Sequence, residues 1–244
     1  MSQCCVAPKL PTLAFDLEEL NQQFACCHPR NVLAWCIENF PTGLVQSSAF
    51  NVNGMVIMHI LARELRVAPP VPVLFLDTLH HFPETLALVR KATKLYGLDL
   101  NVYKVADVDS REAFAKRYGE ALWDTDIDKF YQLTKIEPLE RGLKELGAVA
   151  WITGRRRDQS SNRANTPIFE LDRFGRLKIN PLATWTYKDV WTYVVEHGVI
   201  YNPLHDQGYA SIGDEPTTTP VREGEDERAG RWRGTGKTEC GIHV

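Results

Sequence analysis

The sequence predicts an α/β protein, an open and mostly parallel twisted sheet flanked by helices, and three observations carry that prediction. Short apolar runs of strand length alternate with helix-length segments whose apolar residues recur every three or four positions. Each run ends in a polar loop that opens onto a helix, as crossover connections of parallel strands do. No internal repeat and no low-complexity stretch interrupts the 244 residues.

The elements follow in order. Leu17, Leu20 and Phe24, then Val32, Leu33, Trp35, Cys36, Ile37 and Phe40, make residues 16–40 two helices divided by Pro29. After the turn Pro41-Thr42-Gly43, Leu44-Val45-Gln46 reads as a short buried strand, followed by a polar loop from Ser47 to Gly54 and an apolar helix from Met55 to about Leu65. Strand Val71 to Leu76 ends at Asp77-Thr78, helix Pro83 to Leu95 follows, and Leu100 to Val105 is the next strand. Residues 110–146 read as mainly helical. Val149 to Thr153 returns to strand and opens into Gly154-Arg155-Arg156-Arg157-Asp158-Gln159-Ser160. Ile168 to Leu171 and Leu177 to Asn180 flank Asp172-Arg173-Phe174-Gly175 as a hairpin, and Thr186 with Asp189 caps a helix running to about His197. Beyond Asn202 the chain is polar and rich in Gly, Pro and charge. Arg222 to Gly236 has almost no apolar residue besides Trp232, so the segment reads as a mobile tail. The divisions are an N-terminal helical segment (1–40), an α/β domain (41–200) and a flexible C-terminal tail (201–244).

Composition narrows the function. With 28 Lys plus Arg against 31 Asp plus Glu, a net of −3, the chain lacks the broad basic surface of a nucleic-acid binder, so an anionic ligand must be held by a local cluster. The longest apolar stretches, such as Met55 to Leu61, fall far short of the roughly 20 residues of a membrane span. Met1-Ser2-Gln3-Cys4-Cys5 has no basic start leading into an apolar run, which favours a cytoplasmic location. There the six cysteines (Cys4, Cys5, Cys26, Cys27, Cys36, Cys240) stay reduced.

Four features carry chemistry, each with a plainer alternative. The loop from Ser47 to Gly54 offers hydroxyls and free N–H groups at a helix start, a cradle for an anion or simple N-capping. Asp77-Thr78 with Phe82-Pro83-Glu84-Thr85 suits a ribose or adenine, or merely ends a strand. Arg155-Arg156-Arg157 is a solvated run or, with Lys135, Arg163, Arg228 and Arg231, a site for several phosphate or sulfate groups. Cys240 is a lone thiol in a segment with too little apolar mass to bury it, so it is either incidental or reactive. Arg231, Lys237 and His243 would favour its thiolate, and Glu239 opposes. Gly236-Lys237-Thr238 is not the end of a phosphate-binding P-loop, because the required first glycine falls on Arg231 and six residues leave no room for a helix.

Taken in order and spacing, these segments resemble the phosphoadenylyl-sulfate (PAPS) reductases over roughly residues 30–243. The marks are Ser47-Ser48-Ala49-Phe50, Asp77-Thr78 with Phe82 to Thr85, Lys135 to Leu139, Gly154 with Arg156 to Ser160, Pro181-Leu182 with Trp185-Thr186, and the highly specific Lys237-Thr238-Glu239-Cys240-Gly241-Ile242-His243. The resemblance implies an adenine nucleotide alpha hydrolase-like sheet as the nucleotide-binding domain and a tail carrying the catalytic Cys240. It implies that Cys240 takes the sulfonate of PAPS as S-sulfocysteine, and that reduced thioredoxin or glutaredoxin then frees sulfite, in assimilatory sulfate reduction. It places Lys135, Arg228, Arg231 and His243 around the phosphosulfate. Arg156, Arg157, Gln159 and Ser160 fall at sugar and phosphate contacts, Ser47, Ser48 and Phe50 in the pyrophosphate loop, and Asp77 and Thr78 at the nucleoside. It further implies a homodimer.

A related branch, the adenylyl-sulfate (APS) reductases, holds a [4Fe–4S] cluster on a Cys-Cys pair before the Lys-x-x-Pro segment and a Cys-x-x-Cys after Ser-Ile-Gly. Here those places hold Phe130-Tyr131 and Asp214-Glu215-Pro216-Thr217, which supply no thiolate, so neither cluster nor other metal is expected and PAPS is favoured over APS. Two rivals stand beside this reading. An ATP pyrophosphatase-type adenylyl transferase would need a Ser-Gly-Gly-x-Asp-Ser loop that Ser47 to Gly54 lacks, and a non-catalytic sulfonucleotide-binding protein would leave Cys240 dispensable.

Overall fold

The structure, a computed structural model, describes residues 15–243. Helix α1 (Leu17–Phe24) starts where Asp16 accepts hydrogen bonds from the Glu18 and Glu19 amides, and α2 (Pro29–Asn39) starts at Pro29 behind a His28 cap. Asn21 fastens α1 to the far edge of the sheet: its amide donates to the Phe169 carbonyl at 2.8 Å, and its oxygen accepts from the Ile168 and Phe169 amides.

The sheet has six strands, β1 (Leu44–Ser47), β2 (Val73–Asp77), β3 (Leu100–Lys104), β4 (Ala150–Ile152), β5 (Phe169–Leu171) and β6 (Leu177–Ile179), in the order β3-β2-β1-β4-β6-β5. Every pairing is parallel except β5 with β6, which form the hairpin edge. From β1 the chain runs outward through β2 and β3, then returns to place β4 on the other side of β1. The crevice beyond the carboxyl ends of β1 and β4 is therefore the topological switch point, where open α/β sheets hold ligands.

Both faces of the sheet are covered. On one lie α1, α2, α3 (Val52–His59, extended by a π-helical turn Ile60–Glu64), α4 (Pro83–Tyr96) and α9 (Tyr187–His197), whose Val32, Leu33, Met55, Ile57 and Val190 are fully buried. On the other, α8 (Glu137–Glu145) packs Leu139 and Leu143 on Val45, Leu74 and Trp151. Gly142 allows that approach, since a β-carbon there would meet Leu74 Cδ1 at 2.6 Å. Between β3 and α8 the chain forms α5 (Arg111–Tyr118), α6 (Leu122–Thr125), α7 (Ile127–Tyr131) and a π-helical turn Gln132–Ile136. No helix among the described residues is long and apolar enough to cross a membrane.

One expectation needs correction. Helix α3 begins at Val52 rather than Met55, because Asn51 Oδ1 accepts from the Gly54 amide at 3.1 Å and fixes the start three residues earlier. Residues 202–243, the segment expected to be a mobile tail, lie folded over the carboxyl edge of the sheet. Asp214 is fully buried, Trp232 is 3% exposed and its indole N–H donates to the Tyr131 hydroxyl at 2.5 Å, and backbone bridges join His81 to Asp214 and Thr218 to Arg231. The anchors are Trp232, Leu204 and Ile212 beside Phe82, Ile242 on the cluster of Leu139 and Trp151, and several ion pairs, too scattered along the segment to leave an apolar period in the sequence.

Candidate active site

The switch-point crevice opens into a cleft of about 1190 Å³ lined by the loops after β1, β2 and β4 and by the C-terminal segment. The loop after β1 is shaped by its own hydrogen bonds. The Ser48 amide continues the sheet to Leu74 O at 3.0 Å, while Ser48 Oγ accepts from the Phe50 amide at 3.0 Å and turns the chain through a left-handed Phe50 (φ 54°). Asn53 Nδ2 donates to Gly154 O at 2.7 Å, which ties the loops after β1 and β4 together.

At the β2 end, Thr78 Oγ1 donates to Asp214 Oδ1 at 2.7 Å, and Lys135 Nζ pairs with Asp214 Oδ2 at 2.6 Å. Burial would raise the Asp214 carboxyl, but Lys135, His81 and the hydrogen bonds from Lys135 and Thr78 outweigh it and hold the group well below the usual carboxylate range. Burial likewise pulls on Lys135, yet Asp214, Tyr131 and Cys240 leave its ammonium more firmly protonated than an ordinary lysine.

The other wall is a cluster of cations. Arg163 grips Glu239 with Nε to Oε1 at 2.6 Å and Nη2 to Oε2 at 2.7 Å, and Arg228 donates to the same carboxylate at 3.2 Å. Burial, and then Arg163, pull Arg228 down to about 10. Arg155 pairs with Glu170 at 2.9 Å, and Arg231 lies 4.5 Å over the Trp232 ring. The His243 ring stacks on Trp151; burial, Lys178 and the neighbouring arginines push it well below the ordinary histidine range, so it is neutral. Arg155 Nε, Arg228 Nε, Arg231 Nε and His243 Nδ1 are buried without a partner among the described residues. Unpaired donors of this kind fit a site built for an anion.

Cys240 sits half-buried among these groups, facing the same cleft as Lys135, Arg228, Arg231 and His243. The next residue must be glycine: Gly241 has φ 88°, and a β-carbon there would meet Ile136 Cδ1 at 3.0 Å. The thiol is thus set against the π-helical turn that carries Lys135, which the sequence reading of an unburied segment missed.

Of the residues singled out from sequence, Ser47, Ser48, Thr78, Lys135, Gln159, Arg228, Arg231, Cys240 and His243 line the cleft. Five do not. The Phe50 ring is in the core, edge-on to Phe75 at 5.4 Å, because its left-handed backbone turns the side chain inward. Asp77 Oδ1 accepts from the Leu79 amide at 2.9 Å and closes a turn. Arg156 is fully buried behind the wall, bound to Asp158, Asn53 and Glu227. Arg157 is exposed and donates to Thr166 O, and Ser160 lies off the cleft. Arg155, not Arg156 or Arg157, faces inward. Asp214 and Glu227 were not foreseen as partners of these cations, since isolated acids in a polar stretch carry no periodic signal. Cys4 and Cys5 lie outside the described residues, while Cys26, Cys27, Cys36 and Cys240 are free thiols.

The family model described as a phosphoadenosine phosphosulfate reductase domain matches residues 43–220, most of the chain. The chain belongs to the phosphoadenosine phosphosulfate reductase family. A phosphoadenosine phosphosulfate reductase of Emericella nidulans is 47% identical over 240 residues, covering 96% of this chain and 78% of the relative. An adenosine 5′-phosphosulfate reductase of Halalkalibacterium halodurans is 40% identical over 233 residues, covering 95% and 98%. The crystal structure of PAPS reductase from Candida auris in a phosphate complex superposes with a TM-score of 0.76 at 41% identity, covering 83% of this chain and 96% of that one. In this member of the PAPS reductase family Asp214 pairs with Lys135, and the Tyr131 and Thr217 hydroxyls lie 3.1 Å apart. Among the described residues no group of three or more His, Cys, Asp or Glu is arranged to hold a metal ion.

Proposed function

We propose that this reductase converts PAPS to sulfite and adenosine 3′,5′-bisphosphate through Cys240, with reduced thioredoxin or glutaredoxin as electron donor. The observation that carries the reading is a single thiol facing a cleft together with Lys135, Arg228, Arg231 and the neutral His243. The Cys240 thiolate attacks the sulfuryl sulfur, an S–S bond forms, and the sulfur–oxygen bond breaks with its electron pair passing to the 5′-phosphate oxygen. The leaving group is a phosphate anion, so the step needs cations to balance developing charge rather than a strong general acid. Lys135, Arg228 and Arg231 supply that charge, with Ser47 and Ser48 offering donors to the 5′-phosphate, while Gln159 and the Thr78 hydroxyl oxygen, an acceptor once its proton goes to Asp214, border the rest of the nucleotide.

A thiol of the donor protein then attacks Cys240 Sγ and releases sulfite. Its second thiol closes a disulfide on the donor, returning Cys240 as thiolate and oxidising the donor by two electrons. Cys240 must lie over the cleft in the first step and reach a separate protein in the second. The C-terminal segment, held largely by ion pairs to Glu227 and Glu239, is suited to both positions. A cytoplasmic setting, where the donor is kept reduced, and a homodimer belong to the same reading.

The test is to mix the reduced protein with stoichiometric PAPS without thioredoxin, APS in a parallel tube, and measure intact mass and the C-terminal peptide. One sulfonate on Cys240 with PAPS and much less with APS supports the reading. Adduct mainly with APS makes it an APS reductase without a cluster, and bound nucleotide without adduct makes it a binding protein.

A further inference from the structure

Lys135 is 9% exposed and, among the described residues, pairs with a single carboxylate, Asp214. Asp214 has no exposure and uses both oxygens, Oδ2 for the ammonium and Oδ1 for the Thr78 hydroxyl. The backbone around it is tied down as well, by the bridge to His81 and by the Glu215 amide donating to His80 O at 2.8 Å. The end of β2, the π-helical turn and the C-terminal segment therefore converge on one carboxylate. The Lys135 ammonium lies 4.6 Å over the Tyr131 ring and borders the cleft that holds Cys240.

A lysine on a four-carbon stem has no fixed position of its own, and once desolvated it gives up its proton unless an anion retains it. We infer that Asp214 is the positioning residue of the sulfuryl-transfer step, holding the Lys135 ammonium in place and charged where the thiolate and the sulfonate meet. The inference rests on Cys240 being the nucleophile and adds to that reading a residue that does not itself touch the substrate.

The charged and titratable groups facing Lys135 are Asp214, Tyr131, Cys240 and Arg231, and those facing Asp214 include His80 and His81. Arg231 opposes the lysine's charge, and Asp214 is the strongest of the groups that retain it. With Asp214 as Asn, burial and Arg231 act with less opposition, and Lys135 deprotonates at lower pH.

The experiment is a single-turnover measurement of Cys240 sulfonation by PAPS across the neutral-to-alkaline range, on wild type, Asp214→Asn, Lys135→Gln and the double variant. Binding of adenosine 3′,5′-bisphosphate is measured alongside. Asp214→Asn is expected to slow sulfonation by about 10²-fold, the size of losing one preorganised electrostatic contact. Its alkaline limb moves to lower pH, while bisphosphate binding changes far less. Lys135→Gln slows the step comparably and the double variant is no slower, because Asp214 acts through Lys135. An unchanged rate and alkaline limb in Asp214→Asn, or losses that multiply in the double variant, overturn the inference. Should Asp214→Asn not fold, the neutral double variant still compares with Lys135→Gln, as removing both charges of a buried pair is tolerated better than removing one; equal rates support the inference and a further fall overturns it. Absence of adduct in the wild type with either nucleotide instead sinks the reading of Cys240, a separate outcome.

Discussion

Glu239, the residue before Cys240, occupies the grip of Arg163, with both carboxylate oxygens bound at 2.6 and 2.7 Å. Arg228 shares it, so the acid that opposes thiolate formation in the bare sequence is spent on neutralising arginines. It also sits where an anionic ligand would seek its cations.

Glu239→Gln is therefore expected to bind adenosine 3′,5′-bisphosphate more tightly, by about tenfold, the equivalent of about 1.4 kcal/mol. Removing a competing carboxylate raises affinity, whereas removing a group that merely orients Arg163 and Arg228 lowers it. Isothermal titration of the two proteins decides by sign.

Cys240→Ser is expected to abolish sulfonation while leaving bisphosphate binding within about twofold, because the hydroxyl keeps nearly the size and place of a thiol that faces the cleft and packs near Trp232. Loss of binding in parallel with loss of adduct would give Cys240 a structural part instead.

Arg156→Met is expected to lower stability by about 3 kcal/mol, since it leaves the largely buried Glu227 without its cation, the loss of the more exposed Asp158 pair adding little. Urea unfolding with the midpoint compared at constant m-value measures this. The Arg155 side chain faces the cleft, so Arg155→Met is expected to weaken nucleotide binding more than it lowers stability.

His243 is held neutral among Lys178, Arg163, Arg155 and Arg228, with its pKa below that of the unfolded chain. The unfolded segment then binds the extra proton, and stability of the docked segment is lost as pH falls below about 6.5. Asp214 acts in the same direction, but its depressed pKa confines the loss to pH below about 4. Protection of the C-terminal segment in hydrogen exchange is expected to drop from pH 7 to about pH 5 in wild type. A Gln at position 243, which cannot titrate, flattens that dependence.

The strands and helices were legible because burying one face of each imposes a period on its apolar residues, and Val71 to Leu76 or Pro83 to Leu95 displayed it directly. Cys240 was legible too, through the specific run Lys237 to His243 rather than through any property of a lone thiol. The sequence by itself thereby determined the sheet class, the order of its loops and the residue proposed as the nucleophile.

Tertiary structure alone decided which members of each polar cluster meet. Three adjacent arginines are equivalent in sequence, yet the turn after β4 aims Arg155 into the cleft, buries Arg156 behind it and leaves Arg157 in solvent. Phe50 likewise points into the core, edge-on to Phe75 of the neighbouring strand, a contact that exists only once the sheet has formed. The docking of residues 202–243 draws on ion pairs such as Lys135 with Asp214 and on hydrogen bonds between residues up to 136 positions apart, as Thr78 and Asp214 are. Apolar burial is non-directional and leaves a local pattern, whereas a buried charge is stable only beside a particular distant partner, and that pairing exists only once the chain has folded.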